Sequence, residues 1–155
     1  MELLIAAIGR LKGGPEAAMV ADYAGRATAA GRPLGLGPLA IAEIDDRRAR
    51  RASEQGERLL EAAGDGVVVV LDERGRQLAS PALADRIAGW RDDGRRRASF
   101  LIGGADGHAP EIRARADLLL SFGPMVWPHA LARAMLAEQL YRAVSILGGS
   151  PYHRA

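Results

Sequence analysis

The sequence predicts an α/β fold in which a largely parallel sheet carries helices on both faces. Segments with the patterning of strands alternate with segments with helical patterning along the whole chain. Residues 67–71 form an uninterrupted, β-branched apolar run, which is typical of a strand buried on both faces of a parallel sheet. The chain has 155 residues and is 48% hydrophobic, enough for one domain with its own core. We therefore expect a single domain over residues 1–155.

The strands and helices are predicted from the apolar runs and from the glycine, proline and capping residues that begin or end them. Glycines stop the first strand and the fourth, and Asp45 and Asp46 are candidate N-caps for the second helix. Ser80 followed by Pro81 indicates the start of the third helix, with Ser80 as its N-cap. We expect strands at residues 3–8, 39–44, 67–71, 98–102 and 117–121, and helices at residues 16–29, 47–63, 80–91, 110–115 and 129–147.

Composition excludes several classes of function. No run approaches the roughly 20 apolar residues of a membrane helix, and the N-terminus lacks the basic region of a signal peptide, so a cytoplasmic protein with no membrane partner is expected. Cysteine is absent, which removes disulfides, thiolate zinc sites and cysteine nucleophiles. The histidines, His108, His129 and His153, are too scattered in sequence to indicate a metal site, so we expect no metal.

Positive charge in this chain is carried almost entirely by arginine. The formal net charge is only +2, and Lys12 is the one lysine among 21 basic residues. Guanidinium groups bind phosphate in a bidentate manner and stack on bases, which favours a nucleic-acid partner. A genome rich in G and C would give the same composition, so both interpretations stay open.

Ligands of open parallel sheets bind beyond the carboxyl ends of the strands, which directs attention to three turns. The turn after Leu71 carries charged residues, and the turn after Ile102 has three glycines within five positions, including Gly103 and Gly104. Glycine permits close approach of the backbone to a ligand, although a tight structural turn explains the pattern equally well. The glycines lack the lysine of a phosphate-binding loop and the spacing of a dinucleotide fingerprint.

The third turn, residues 122–129, is apolar, aromatic and bracketed by prolines. Loops are normally polar because they lie at the surface, so an apolar loop is either buried structurally or lines a pocket for an apolar ligand face such as adenine. Its candidate binding residues are Phe122, Gly123, Pro124, Met125, Val126 and Trp127.

The C-terminal region offers a second group of candidates. In the last helix Glu138 and Arg142 are one turn apart, a spacing that also suits a plain surface ion pair. The tail places a stacking ring, an imidazole and a guanidinium in succession at Tyr152, His153 and Arg154. A disordered terminus is the alternative.

Six motifs in this order resemble one known family. They are Leu-Asp-Glu-Arg-Gly, Ile-Gly-Gly-Ala-Asp-Gly, Leu-Ser-Phe, Trp-Pro-His, Glu-Gln-Leu-Tyr-Arg-Ala and Pro-Tyr-His-Arg. Together they resemble the RlmH family, SPOUT-class methyltransferases that act on N3 of a pseudouridine in large-subunit (23S) ribosomal RNA. Three positions depart from the pattern common in that family: His108 replaces leucine, and Ser150 and Ala155 replace histidine and glutamate.

The resemblance implies a fold, a cofactor and partners. It implies a homodimer, a C-terminal trefoil knot and S-adenosylmethionine as the cofactor, with assembled ribosomes as the substrate. By position, the cofactor contacts fall on Leu71, Gly103 with its neighbour Gly104, and the loop from Phe122 to Trp127. We expect catalysis to depend on His153 as general base or hydrogen-bond partner, on Tyr152 to orient the base, and on Arg142 and Arg154 to hold phosphate or stabilise the imide anion.

Two other functions fit parts of the sequence. A non-catalytic RNA- or ribosome-binding factor would use the arginine-rich segments 47–51 and 95–97, but it leaves the apolar loop unexplained. A flavodoxin-like phosphotransfer or signalling domain would need acidic residues at the strand ends, which only Asp72 and Glu73 approach.

Overall fold

Five strands and five helices alternate along the chain in the computed structural model, which describes residues 1–154. Ala155, the last residue of the expected domain, lies outside the described residues. The strands are β1 (Glu2–Ile8), β2 (Leu39–Ile44), β3 (Val67–Gln77), β4 (Arg97–Ile102) and β5 (Leu118–Ser121). The helices are α1 (Pro15–Gly31), α2 (Ala52–Ala63), α3 (Ser80–Asp92), α4 (Pro110–Ala114) and α5 (His129–Leu147), with a 3₁₀ turn at Arg32–Leu34.

The five strands form one parallel sheet with the order β2-β1-β4-β3-β5. Side chains of β1 alternate between two cores: Leu3 and Ile5 pack with α1, α3 and α5, whereas Leu4 and Ala6 pack with α2 and α4. The expected parallel sheet with helices on both faces is therefore confirmed. Within residues 1–154, no helix is long and apolar enough to cross a membrane.

The third strand is longer than its apolar run indicates. We expected it to end at residue 71, but β3 continues to Gln77 after a register shift against β5 between Leu71 and Arg76. Gly75 allows this bulge to form, because a Cβ there would lie 2.6 Å from the carbonyl carbons of Leu119 and Leu120. Polar residues can continue the strand because they lie at its end, where most side chains are exposed or half-buried.

Two expected helix caps are wrong. The second helix begins at Ala52 instead of residue 47, because Oδ1 of Asp45 accepts the backbone N–H of Arg47 at 3.0 Å and closes a turn. The third helix begins at Ser80, with Ala79 as N-cap, and Ser80 Oγ donates to Oε1 of Gln139 on α5 at 2.7 Å.

A buried arginine fixes α5 against the sheet. The side chain of Arg133 is 2% exposed, and its Nη1 lies 2.7 Å from Oε2 of Glu43 at the end of β2. Its Nη2 donates to the carbonyl oxygens of Ile8 and Gly9 at 3.2 and 3.1 Å. Burial lowers the pKa of Arg133, and Glu43 opposes that shift. The first residues of α5 are thereby held near the carboxyl ends of β1 and β2.

Candidate functional site

A cavity of about 400 Å³ opens beyond the carboxyl ends of β3, β4 and β5. We call it the cofactor cavity because residues expected to contact a cofactor line it. It brings together the three turns singled out in the sequence. Eight of the nine expected cofactor residues line it: Leu71, Gly103, Gly104, Phe122, Gly123, Met125, Val126 and Trp127. The ninth, Pro124, is exposed on the same loop and is not part of the lining.

Residues 103–107 form the turn after β4, which we call the glycine turn. Most of its glycines have ordinary backbone angles, and the space around Gly103 and Gly104 is limited. The backbone N–H of Gly107 donates to the carbonyl of Gly104 at 3.0 Å, and only Gly107 of the three glycines has a positive φ, 71°. A Cβ on Gly103 would lie 3.1 Å from backbone atoms of Gly107, and one on Gly104 would lie 2.5 Å from Oε1 of Gln55. A side chain at Gly103 would therefore press on the backbone of the turn itself, whereas one at Gly104 would require the Gln55 side chain to move.

The apolar loop after β5 is held at its base and open at its tip. Ser121 Oγ accepts the backbone N–H of Gly123 at 3.0 Å, and the φ of Gly123 is 105°. At the tip, Met125 is 69% and Val126 is 88% exposed, although both are large apolar residues. The buried Nε1 of Trp127 has no hydrogen-bond partner among the described residues. An enclosed donor without a partner and an exposed apolar tip are features that a bound ligand would satisfy.

One wall of the cofactor cavity carries a charged network centred on Asp72. The Asp72 side chain is 5% exposed; Oδ1 lies 3.3 Å from Nη1 of Arg74, and Oδ2 lies 3.8 Å from Nη1 of Arg113. Arg113 also donates to the backbone carbonyl of His108 at 2.6 Å, which joins α4 to the glycine turn. In the sequence, the charges after Leu71 are also consistent with ordinary surface capping, but in the structure they form part of the cavity wall.

His108 is a lining residue that sequence reasoning missed as a binding group. Its side chain is buried, and Nε2 has no hydrogen-bond partner within the described chain. Burial lowers the pKa of His108 below its ordinary value of 6.5, although Asp72 and nearby carbonyls oppose the shift. The signal available in the sequence was a histidine directly after the glycine turn.

The tail residues lie together but away from the cofactor cavity. Tyr152 Oη donates to Oε1 of Glu138 at 2.9 Å, and Nη1 of Arg142 lies 3.4 Å from Nδ1 of His153. Arg142 also donates from Nε to Oε1 of Glu138 at 3.0 Å. Arg154 is exposed, and none of the four expected catalytic residues is part of the cavity lining. The tail is therefore folded back on α5 and does not reach the cofactor cavity of its own chain.

A groove connects these two regions. It encloses about 480 Å³ between α1, α3 and α5, and its lining includes Met19, Met135 and Glu138. Phe122 and Gly123 line both this groove and the cofactor cavity. We call it the apolar groove.

Comparisons with known proteins identify the family. Residues 1–153 match the model of a family described as predicted SPOUT methyltransferases. Proteins named "Ribosomal RNA large subunit methyltransferase H" from Paracoccus denitrificans and Cereibacter sphaeroides are 56% and 55% identical, over 99% of each chain. A solved SpoU methyltransferase from Streptomyces viridochromogenes in complex with AdoMet is 15% identical, with a TM-score of 0.45 over 96% of this chain and 59% of its own. On the family match and the identity to these relatives, the chain belongs to the SPOUT methyltransferase family.

Proposed function

We propose that this chain is an S-adenosylmethionine-dependent methyltransferase of large-subunit ribosomal RNA. Its substrate is N3 of a pseudouridine in 23S RNA, reached in the assembled ribosome. The relatives' names supply the substrate class. The observation that carries the proposal is that one cavity gathers eight of the nine residues at which this family would contact its cofactor.

The chemistry of the lining fits S-adenosylmethionine. Phe122 and the neighbouring apolar side chains suit a flat heterocycle, while the enclosed nitrogens of His108 and Trp127 require hydrogen-bond partners that a ligand can supply. Carboxylates on the charged wall, Asp72 and Glu73, suit the positive charges of a sulfonium and an ammonium group. A volume of about 400 Å³ lies within the range of small-molecule pockets.

The enzyme's main task in this reaction is alignment. The bound cofactor supplies an electrophilic methyl group, so the chain has to hold the acceptor nitrogen in line and help remove its proton. His153 is our candidate to accept that proton or to hydrogen-bond the imide. Tyr152 would orient the acceptor base, and Arg142 and Arg154 would hold phosphate or stabilise the developing negative charge.

The separation of the tail from the cavity supports a homodimer. The tail lies outside the cofactor cavity of its own chain, so the expected catalytic groups would have to come from the tail of a second copy. Met19 at the groove is 41% exposed, and burial of such side chains would stabilise a dimer. The C-terminal knot stays a prediction of the resemblance, and action in the cytoplasm, where ribosomes are found, stays a prediction of the sequence composition.

Mapping of ribosomal RNA modifications tests the reaction. We expect mass spectrometry of 23S RNA from cells lacking this chain to show loss of one methyl group on a pseudouridine. Complementation with the wild-type gene should restore it, and complementation with Trp127→Ala should not. An unchanged methylation pattern would reject the substrate, and no binding of S-adenosylmethionine at millimolar concentration would favour a non-catalytic ribosome-binding factor.

Mixing two inactive variants tests the composite site. Trp127→Ala disables the cofactor cavity and His153→Ala disables the tail. If the tail acts on the partner's cavity, each mixed dimer has one intact site, and random exchange restores about a quarter of the wild-type activity. Activity no higher than that of either variant alone would mean that each tail acts on the cavity of its own chain.

A further inference from the structure

A third cavity, of about 510 Å³, lies beyond the carboxyl ends of β1 and β2. Its walls come from residues 8–11, the segment around Arg50, the 104–106 turn and the start of α5. Four lining residues are shared with the cofactor cavity: Gly104, Ala105, Asp106 and His129. The two cavities therefore adjoin each other along the glycine turn and the first residue of α5.

The groups in this cavity are mixed in charge. Arg10 and Arg50 are exposed, and their guanidinium groups make no ion pair within residues 1–154. Asp46 and Asp106 also line it. Such a lining suits neither a lone anion nor a lone cation, but it matches a nucleotide, whose base needs donors and acceptors and whose phosphates need guanidinium groups.

Two features of α5 add hydrogen-bond donors at the same place. The buried side chain of Arg133 lines the cavity, and its Nε has no acceptor within the described chain. The helix begins here, at His129, without a side-chain cap, so its first N–H groups have no intrahelical acceptor and carry a partial positive charge. An enclosed arginine N–H and an uncapped helix start both call for a ligand or an ordered solvent molecule.

We propose that this third cavity, which we call the acceptor cavity, holds the RNA nucleotide that receives the methyl group. The base lies where the two cavities adjoin, near His129, so that its N3 can face the methyl group, and the flanking phosphates lie on Arg10 and Arg50. The inference rests on the proposed function, since it takes RNA as the substrate and the neighbouring cavity as the cofactor site. It assigns RNA contacts to the N-terminal half of the chain, in addition to the C-terminal tail.

A pair of charge-matched variants tests the phosphate contacts. Arg10→Ala with Arg50→Ala removes two charges at the acceptor cavity, and Arg32→Ala with Arg86→Ala removes two exposed charges outside that cavity and outside the arginine-rich segments. Affinity is measured against ribosomes from cells lacking this chain, over a range of salt concentrations. The first double variant should bind at least about 10-fold more weakly than the second, and its salt slope should fall by about 0.7 for each phosphate that the protein no longer neutralises. Equal affinities and equal slopes would overturn the proposal.

A second pair of variants tests occupancy of each cavity separately. Ala130 lines only the acceptor cavity and Ala132 lines only the cofactor cavity. Ala130→Trp should bind S-adenosylmethionine with wild-type affinity and lose ribosome methylation, whereas Ala132→Trp should lose cofactor binding. Full methylation by Ala130→Trp would overturn the proposal that the acceptor cavity holds the RNA nucleotide. Failure of the wild-type chain to bind the cofactor would instead reject the proposed function, and urea unfolding confirms that each variant is folded.

Discussion

Tyr152 Oη donates a 2.9 Å hydrogen bond to Oε1 of Glu138, fourteen residues earlier in the chain. The same carboxylate accepts from Arg142, whose guanidinium carbon lies 4.8 Å from the centre of the Tyr152 ring. The ring also packs on Tyr141, with 4.6 Å between ring centres. Burial, with contacts to Tyr23 and Glu138, raises the pKa of Tyr152 well above its usual range, so the phenol stays protonated and acts as a donor.

Glu138→Ala should release the tail. The substitution removes the acceptor shared by Tyr152 and Arg142, and we expect it to lower the free energy of unfolding by about 1–2 kcal/mol. Amide hydrogen exchange in residues 150–154 should accelerate. Glu61→Ala is the control, because its pair with Arg58 is exposed and should contribute less than about 0.5 kcal/mol. Equal effects of the two substitutions would contradict the docking role of Glu138.

Trp127→Phe should weaken cofactor binding without weakening the fold. The substitution keeps an aromatic ring but removes the enclosed Nε1–H, which has no partner among the described residues. If that N–H bonds the cofactor, calorimetry should give a dissociation constant about 5- to 10-fold higher, equivalent to about 1 kcal/mol. Trp90→Phe, outside the cavity lining, should leave the dissociation constant unchanged. An unchanged value for Trp127→Phe would mean that the indole N–H does not contact the cofactor.

His108 should make stability depend on pH in the mildly acidic range. Burial lowers its pKa in the folded chain, so below about pH 6.5 the unfolded chain binds a proton that the folded chain does not. The free energy of unfolding therefore decreases as the pH drops through 6.5. Once the pH is below the folded-state pKa of His108, this residue causes no further decrease. His108→Leu should remove that contribution, which urea unfolding at pH 5 and pH 8 can measure. A stability loss between these pH values that is the same in the variant and the wild type would contradict this assignment.

Gly75→Ala should disrupt the bulge of β3. A Cβ at this position meets backbone atoms of β5 at 2.6 Å, and backbone cannot move aside as a flexible side chain can. We expect a destabilisation of at least about 2 kcal/mol, with weaker cofactor binding because the bulge leads into the cavity wall. The matched control is Gly89→Ala on α3, where nothing lies within 4 Å of the added carbon. That substitution should stabilise the chain by about 0.5–1 kcal/mol, since alanine is the better helix former.

Periodicity was sufficient to predict the sheet and most of the helices. The final helix was expected at residues 129–147 and is observed at His129–Leu147, because its apolar face is long and glycines end it. Side-chain competition explains the misplaced caps, since Asp45 bonds its own turn and Ser80 bonds Gln139 on another helix. The Asp45 turn is local, but the local sequence around Ser80 contains no information about a partner as distant as Gln139.

The candidate site, like the fold, was only partly predictable from the sequence. Apolar and glycine-rich turns at strand ends pointed to the cofactor cavity, because the carboxyl ends of parallel strands converge in space. The resemblance, not periodicity, selected Leu71 among the residues of its strand. Neither indicated that His108 would be enclosed, nor that Arg10 and Arg50 would line a cavity beside the glycine turn, since both depend on how the loops pack.

The position of Arg133 has a consequence for how the protein is made. Its guanidinium bonds the carbonyls of Ile8 and Gly9, which precede it by 125 and 124 residues. During synthesis the N-terminal strands leave the ribosome long before this arginine is translated. Contacts between residues so distant in sequence are slow to form, because the intervening chain must first be ordered. Both cavities that share the start of α5 can therefore exist only after almost the whole chain has been translated, so the binding that we propose for them requires a nearly complete chain.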